Sequence, residues 1–209
     1  MGFFPLFVDL SGRRVLIVGG GTVAERKIRA LLGFGAAPLV VSPQVTDEVR
    51  RLANTGAVRF FARKYRPGDL AGAALAVAAT NDREVNRAVS RDARKREIPV
   101  NVVDDPELCT FYFPAIVRRG DFVVGISTSG SYPALAKYAR SRIEKTFPES
   151  CGEILEKLKW ERLRAMREIP DPEERKKELD RLLREAIGEK AAPEGTEKET
   201  CNGDRHGRH

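Results

Sequence analysis

Glycines at a fixed spacing after a short apolar run are the clearest sign of chemistry in this sequence. Gly19, Gly21 and Ala24 have the spacing G-x-G-x-x-A and follow the run RVLIV. In such a turn the first glycine allows a sharp bend and the second lets the backbone approach a pyrophosphate, which lies on the free N–H groups of the next helix. The spacing therefore predicts a dinucleotide site. A turn that only joins strand to helix is the less favoured alternative, because chain position, preceding strand and spacing all agree.

Polar residues follow two later apolar runs. Thr80 and Asn81 end the run that begins at Leu75, and Asn101 lies within PVNVV. Ligands of an open parallel sheet bind beyond the carboxyl ends of its strands. We therefore expect Thr80 and Asn81 to contact the cofactor and Asn101 to contact the substrate, whereas Asp82 is expected to cap the following helix.

Two carboxylates, Asp104 and Asp105, end the second of these runs. A carboxylate at the edge of a crevice can accept a proton from a bound substrate. The pair could equally form a turn ahead of Pro106, and the spacing alone leaves both interpretations open.

A third polar segment contains the hydroxyl-bearing residues Ser127, Thr128 and Ser129, just before a predicted helix. Hydroxyl groups at such a position cap the helix, or they donate hydrogen bonds to carboxylates of a ligand. We include all three as candidate substrate-binding residues.

The acidic residue that usually holds the ribose is absent from its expected place. A Rossmann fingerprint places Asp or Glu at the end of the second strand, but here Ser42, Pro43 and Gln44 occupy that position. These residues or their backbone would have to hold the ribose, so the fingerprint does not decide between NAD and NADP.

Alternating strands and helices must position these residues. Buried strands are predicted at 14–19, 38–42, 58–62, 75–79 and 99–103, with helices at 23–34, 46–55 and 83–96. This alternation predicts an α/β protein with a Rossmann-type doubly wound parallel sheet. A hairpin of strands 111–118 and 121–128 is expected to follow, and then helices at 131–145, 151–167 and from Pro172 to near Gly188.

Composition narrows the class of protein. The net charge is +7, and residues 1–150 hold 23 Lys and Arg against 15 Asp and Glu, which favours an anionic ligand there. The basic residues are scattered without an aromatic platform, so no nucleic-acid partner is expected. The two histidines, His206 and His209, lie near the C-terminus, so no metal site is predicted. Three cysteines, no signal-peptide pattern and no long apolar run predict a cytoplasmic protein without a membrane span.

Four segments together resemble one known family. GGGTVAERK from Gly19, VAATNDREVN from Val77, NVVDDPELCTFYFPA from Asn101 and ISTSGSYPALAK from Ile126 look like precorrin-2 dehydrogenase, the N-terminal module of siroheme synthase. The resemblance covers about residues 3–147 in one register. Because four motifs occur in the right order, it is more specific than the glycine pattern alone.

This resemblance implies NAD-dependent oxidation of precorrin-2 to sirohydrochlorin by a homodimer. The family's functional aspartate falls on Asp104, here the expected general base, and a serine important in some members falls on Thr128. Dinucleotide contacts fall on Thr22, Val23, Pro43 and Gln44, which makes the missing ribose carboxylate a family trait and points to NAD. We expect methylation of uroporphyrinogen to occur elsewhere, because the chain ends without the methyltransferase region of the fused enzymes.

The implied organisation has four parts. We expect an NAD-binding Rossmann domain at 1–112, a small α+β dimerisation segment at 113–147, a helical domain at 148–188 and a disordered tail at 189–209.

Two alternatives remain open at this stage. Some family members also insert Fe²⁺ into sirohydrochlorin; we place a dehydrogenase alone ahead of such a bifunctional enzyme. A non-enzymatic dinucleotide sensor would need the glycine turn but neither the Asp104 segment nor the hydroxyl-rich loop.

Overall fold

The computed structural model describes residues 3–188, and a five-stranded parallel sheet forms the core of one of the two compact units of the chain. The strand order is β3-β2-β1-β4-β5. The strands are β1 (Arg14–Val18), β2 (Ala37–Val41), β3 (Arg59–Phe61), β4 (Leu75–Ala78) and β5 (Val100–Val102). The apolar runs of β1, β2, β4 and β5 are largely buried, as suits strands covered on both faces, whereas the edge strand β3 is partly exposed. The predicted doubly wound parallel sheet is therefore confirmed.

Three helices connect these strands: α1 (Thr22–Gly33), α2 (Asp47–Asn54) and α3 (Arg83–Arg94). The side chain of Thr46 accepts a hydrogen bond from the Val49 N–H at the start of α2. Asp82 caps α3 in the same way, by accepting from the N–H groups of Glu84 and Val85. The capping role expected for Asp82 is confirmed.

Alternate residues of each strand face opposite layers of the core. In β1, Val15 and Ile17 pack with Ile28 of α1 and Val49 of α2. The intervening residues of β1 pack with residues of α3 on the other face. Because a strand has a side-chain period of two, one sheet is covered by helices on both sides.

Beyond the sheet the chain forms a hairpin and three helices. They are β6 (Ala115–Arg119), β7 (Phe122–Ile126), α4 (Pro133–Thr146), α5 (Cys151–Glu168) and α6 (Pro172–Ile187). The expected start of the hairpin at Phe111 is wrong. Tyr112 and Phe113 instead pack onto opposite core layers beside the parallel sheet, so the strand begins only after Pro114.

The described chain divides into two compact units. One consists of 3–115 and 125–140, and the other of 116–124 and 141–188. In the second unit α5 packs against α6, and the half-buried Arg119 pairs with Glu149 at 2.9 Å. The tail predicted to be disordered lies outside the described residues. No helix between 3 and 188 has both the length and the apolarity needed to cross a bilayer.

Candidate dinucleotide and substrate site

The sheet brings the predicted site residues to one edge. Val18 lies opposite Val41 on one side and Ala78 on the other, and Ala78 lies opposite Val102. Four neighbouring strands therefore end in register. The order of the strands reverses between β1 and β4, and an open sheet has its ligand crevice at such a switch point.

The first two glycines of the turn are required by close packing within the protein. Gly19 has φ +113°, and a Cβ atom there would lie 2.2 Å from the carbonyl oxygen of Ala79. A Cβ atom at Gly20 would lie 2.3 Å from the carbonyl oxygen of Gln44. Both glycines therefore let the chain pass between the ends of neighbouring strands.

Gly21 is different, because a Cβ atom there would meet nothing within 4 Å. Gly21 is the N-cap of α1 and has no side chain to satisfy the first turn, whose earliest helical hydrogen bond runs from Glu25 to Gly21. The N–H groups of Thr22 and Val23 precede that bond and have no acceptor within the helix. The open space and the free donors fit a pyrophosphate.

The end of β2 offers small polar groups rather than a carboxylate. Pro43 and Gln44 are exposed there, and the buried Ser42 donates a 2.5 Å hydrogen bond to the carbonyl of Gln44. This bond fixes the loop in which the ribose contacts are expected.

The loop after β4 is held by a residue that sequence reasoning missed. Asn86, buried on α3, accepts hydrogen bonds from the Thr80 N–H at 3.3 Å and the Thr80 hydroxyl at 2.8 Å. Its amide also donates to the Thr80 carbonyl at 3.0 Å. Thr80 is thus tied to α3, and the neighbouring Asn81 is exposed at the crevice edge.

Asp104 follows β5 at the same edge and is exposed. Its φ of +60° lies in the left-handed region, which aspartate tolerates better than most residues. Within the described chain its carboxylate has no hydrogen bond, whereas the backbone of Asp105 accepts from the Leu108 N–H and so belongs to the following turn. Both interpretations of the pair therefore have support: Asp105 lies in a turn, and Asp104 presents a carboxylate.

Asn101 lies in the protein interior, 6% exposed. Its amide donates to the Phe111 carbonyl at 3.1 Å, and its Oδ1 accepts from Lys27 Nζ at 3.1 Å. These contacts use the side chain to join α1 to the segment after β5. Its expected contact with substrate stays a prediction.

Lys27 is the second residue that sequence reasoning missed. It is three residues after Ala24 and four before Leu31, both buried, so a lysine stands on the inward face of α1. Its ammonium lies 3.9 Å from the centroid of the Phe113 ring, a cation–π contact. Burial is the main reason that the pKa of Lys27 falls to about 8. A basic residue on an apolar stripe was the available sequence signal.

The hydroxyl-rich loop lies near the Asp104 segment. Gly130 lies close to the Tyr112 ring: a Cβ atom added at Gly130 would be 3.2 Å from a carbon of that ring. Thr128 accepts a hydrogen bond from the Tyr132 N–H at 3.3 Å, and Ser127 accepts from the Ser129 N–H at 3.0 Å. Both bonds lie within the loop ahead of α4, so capping of the helix and binding of carboxylates by these three residues both stay predictions.

A separate cleft of about 560 Å³ lies at the opposite edge of the sheet, beside Arg14, Ala37 and Arg59 at the starts of β1, β2 and β3. It contains neither the glycine turn nor Asp104. The N–H groups of Thr22 and Val23 lie at the carboxyl edge instead, where the dinucleotide site is expected. No group of three or more potential metal-ligating side chains occurs between residues 3 and 188.

Comparison with known proteins decides the family. A family model described as "Putative NAD(P)-binding" matches residues 6–115, more than half of the chain. The chain belongs to this NAD(P)-binding family. A nicotinamide dinucleotide is thus the cofactor class, in agreement with the glycine turn.

Similar proteins include several siroheme synthases. The chain is 43% identical over 190 residues to that of Pseudomonas paraeruginosa and 42% identical over 190 residues to that of Azotobacter vinelandii. Each alignment covers 91% of this chain and 41% of the relative. The chain therefore spans about two fifths of the length of these curated relatives.

A solved structure is similar over nearly its whole length. The structure called "SirC, precorrin-2 dehydrogenase" matches with a TM-score of 0.74 and 29% identity, over 88% of this chain and 92% of that one. Together with the siroheme synthases it confirms the resemblance found in the four sequence motifs.

Proposed function

We propose that this protein oxidises precorrin-2 to sirohydrochlorin with NAD as the hydride acceptor. The observation that carries the proposal is the match to a precorrin-2 dehydrogenase over 92% of that protein's chain. In this chain the glycine turn and the Asp104 segment lie in the same compact unit.

The residues of the site suit this reaction. A nicotinamide dinucleotide bound at this turn would supply the acceptor for the hydride removed from a substrate carbon. The first turn of α1 holds the pyrophosphate through the N–H groups of Thr22 and Val23. Asp104 accepts the proton lost by the substrate, so that the two hydrogens leave as hydride and proton. Ser127, Thr128 and Ser129 bind carboxylates of the tetrapyrrole.

The choice of NAD over NADP has two supports. The end of β2 carries no basic residue, because Ser42, Pro43 and Gln44 occupy it. Arg63, which follows the neighbouring β3, is held by both oxygens of Asp69 at 2.6 and 2.9 Å. Because Arg63 is paired with Asp69, its guanidinium is not directed at a ribose 2′-phosphate.

We also propose that the reaction takes place in the cytoplasm. Cys109 and Cys151, the cysteines within the described residues, are both free thiols, which suits a reducing compartment.

The experiment is a two-step absorbance assay on the purified chain. With precorrin-2 and NAD we expect NADH formation at 340 nm together with the spectrum of sirohydrochlorin, and a much lower rate with NADP. Nicotinamide binding without any turnover of precorrin-2 would contradict the proposal and favour a dinucleotide sensor.

Iron insertion is the second candidate, favoured because relatives 43% identical to this chain are called siroheme synthase. Fe²⁺ is added anaerobically once oxidation is complete. A spectral change that depends on the protein would show chelation, and the same slow change with and without protein would limit the activity to dehydrogenation.

A further inference from the structure

Lys27 joins the dinucleotide helix to the segment that carries Asp104. It lies on α1, five residues after Thr22, which places it about 7–8 Å further along the helix axis. Its Nζ donates to Asn101 Oδ1 at 3.1 Å and lies 3.9 Å from the Phe113 ring centroid.

These partners do not neutralise the ammonium. Asn101 Oδ1 is a neutral acceptor, and the ring contributes only a cation–π contact. An ammonium has three N–H donors, and within the described chain one of them is used. Lys27 therefore keeps donors and a positive charge for which the protein supplies no full partner.

The charged and titratable neighbours of Lys27 come from two elements. Arg26 on the same helix opposes its charge, whereas Asp104 and Cys109, from the segment after β5, favour it. Burial and these neighbouring charges together lower the pKa of Lys27 to about 8, and burial is the main cause. A nearby anionic ligand would favour the charged form.

A lysine with a purely structural role would be energetically unfavourable at this position. A methionine could pack on Phe113 without the cost of removing an ammonium from water. The pyrophosphate is bound one and a half turns earlier in α1, so the anion that matches Lys27 is a second one, on the Asp104 side of the crevice.

We propose that Lys27 binds a carboxylate of the tetrapyrrole substrate and so fixes it beside Asp104. This inference rests on the proposed dehydrogenase function. In it, Asn101 orients Lys27, and the substrate contact expected for Asn101 is made through the lysine.

The test compares Lys27→Met and Lys27→Arg with Lys95→Met, a change of an exposed lysine just after α3. In Lys27→Met we expect KM for precorrin-2 to rise roughly tenfold to a hundredfold, as for loss of a charged hydrogen bond. KM for NAD should be unchanged and kcat nearly so. Lys27→Arg should recover most of the affinity, and Lys95→Met should match the wild type.

The pH profile provides a readout that a packing role would not affect. Lys27 is charged below its pKa and loses the charge as pH rises through about 8. In the wild type, kcat/KM for precorrin-2 should therefore fall above about pH 8. The decline should be absent in Lys27→Arg up to pH 9. Burial raises the pKa of the Cys109 thiol, so its titration lies higher.

Three results would overturn the inference. The first is an unchanged KM for precorrin-2 in Lys27→Met. The second is a rise in KM for NAD equal to that for precorrin-2 in the same variant, accompanied by a lower Tm. The third, decisive even if Lys27→Met folds poorly, is the same alkaline decline in wild type and Lys27→Arg. A wild-type protein that binds NAD but leaves precorrin-2 unoxidised would overturn the proposed function, and this inference with it.

Discussion

Individual residues of the glycine turn have different physical reasons to be glycine. At Gly19 and Gly20 a Cβ atom would collide with carbonyl oxygens of neighbouring loops, whereas at Gly21 it would enter open space. Packing within the protein therefore requires the first two glycines, whereas packing does not require the third, which lies at the proposed pyrophosphate site.

Gly21→Ala tests this distinction. The φ of −79° at Gly21 suits alanine, and alanine is only a somewhat poorer N-cap than glycine, so the Tm should fall only slightly. NAD should bind at least roughly tenfold more weakly, about 1.4 kcal/mol, because the added methyl group occupies the space of the pyrophosphate. Calorimetric titration with NAD measures the change. The matched control is Gly68→Ala, where a Cβ atom also meets nothing within 4 Å; equal affinities in the two variants would remove the pyrophosphate from this position.

Asp104 is the residue that we propose as the proton acceptor. Asp104→Asn keeps the shape and tolerates φ +60° but cannot accept a proton. We expect kcat for precorrin-2 oxidation to fall by about 10²- to 10⁴-fold with little change in KM. Asp105→Asn, at the adjacent carboxylate, should retain most of the activity. An Asp104→Asn enzyme with wild-type kcat would exclude the general-base role.

At the scale of elements, hydrogen bonds tie the loop after β4 to α3. Three hydrogen bonds join Asn86 to Thr80 across six residues of sequence. The expected contact of Thr80 and Asn81 with the cofactor therefore depends on a side chain that points into the core.

Asn86→Ala should lower the free energy of unfolding by about 1–3 kcal/mol, because the partly buried N–H, hydroxyl and carbonyl groups of Thr80 lose their partner. Urea denaturation followed by circular dichroism measures it, and NAD affinity should fall in parallel. Arg87→Ala removes an exposed ion pair with Glu84 from the same helix and should cost little. Similar losses in the two variants would contradict the role given to Asn86.

The positions of the strands and helices could largely be predicted from the sequence. Runs such as 15–18 and 37–41 are apolar throughout, and glycines, Thr46 and Asp82 mark the helix boundaries, so local chemistry is sufficient. Contacts between distant segments could not be predicted in this way, because partners such as Lys27 and Asn101 are 74 residues apart in the sequence. The hairpin start was wrong for the same reason, because aromatic residues at 111–113 suit either a strand or a core contact, and tertiary packing decides.

At the scale of the whole molecule, the implied homodimer is a prediction that α4 makes testable. Tyr132 just before α4, with Leu135 and Tyr138 on it, is 64%, 53% and 63% exposed respectively. Residues three apart lie on the same side of a helix, so these side chains form an apolar stripe. Such a stripe suits an interface between copies.

We expect light scattering after gel filtration to give twice the chain mass of 23.2 kDa. Leu135→Glu should shift the protein toward the monomer, because it places a charge within the stripe. Lys137→Glu changes an exposed residue of the same helix and should leave the dimer intact. A wild-type mass of one chain at micromolar concentration would contradict the dimer.

The contrast within the glycine turn also bears on how this sequence can drift over time. A descendant that stopped using a dinucleotide would still be confined to glycine at positions 19 and 20, because Ala79 and Gln44 leave no room there. At position 21 the fold favours glycine only weakly, as the N-cap of α1. The residue at that one position would therefore record whether a lineage still uses the cofactor.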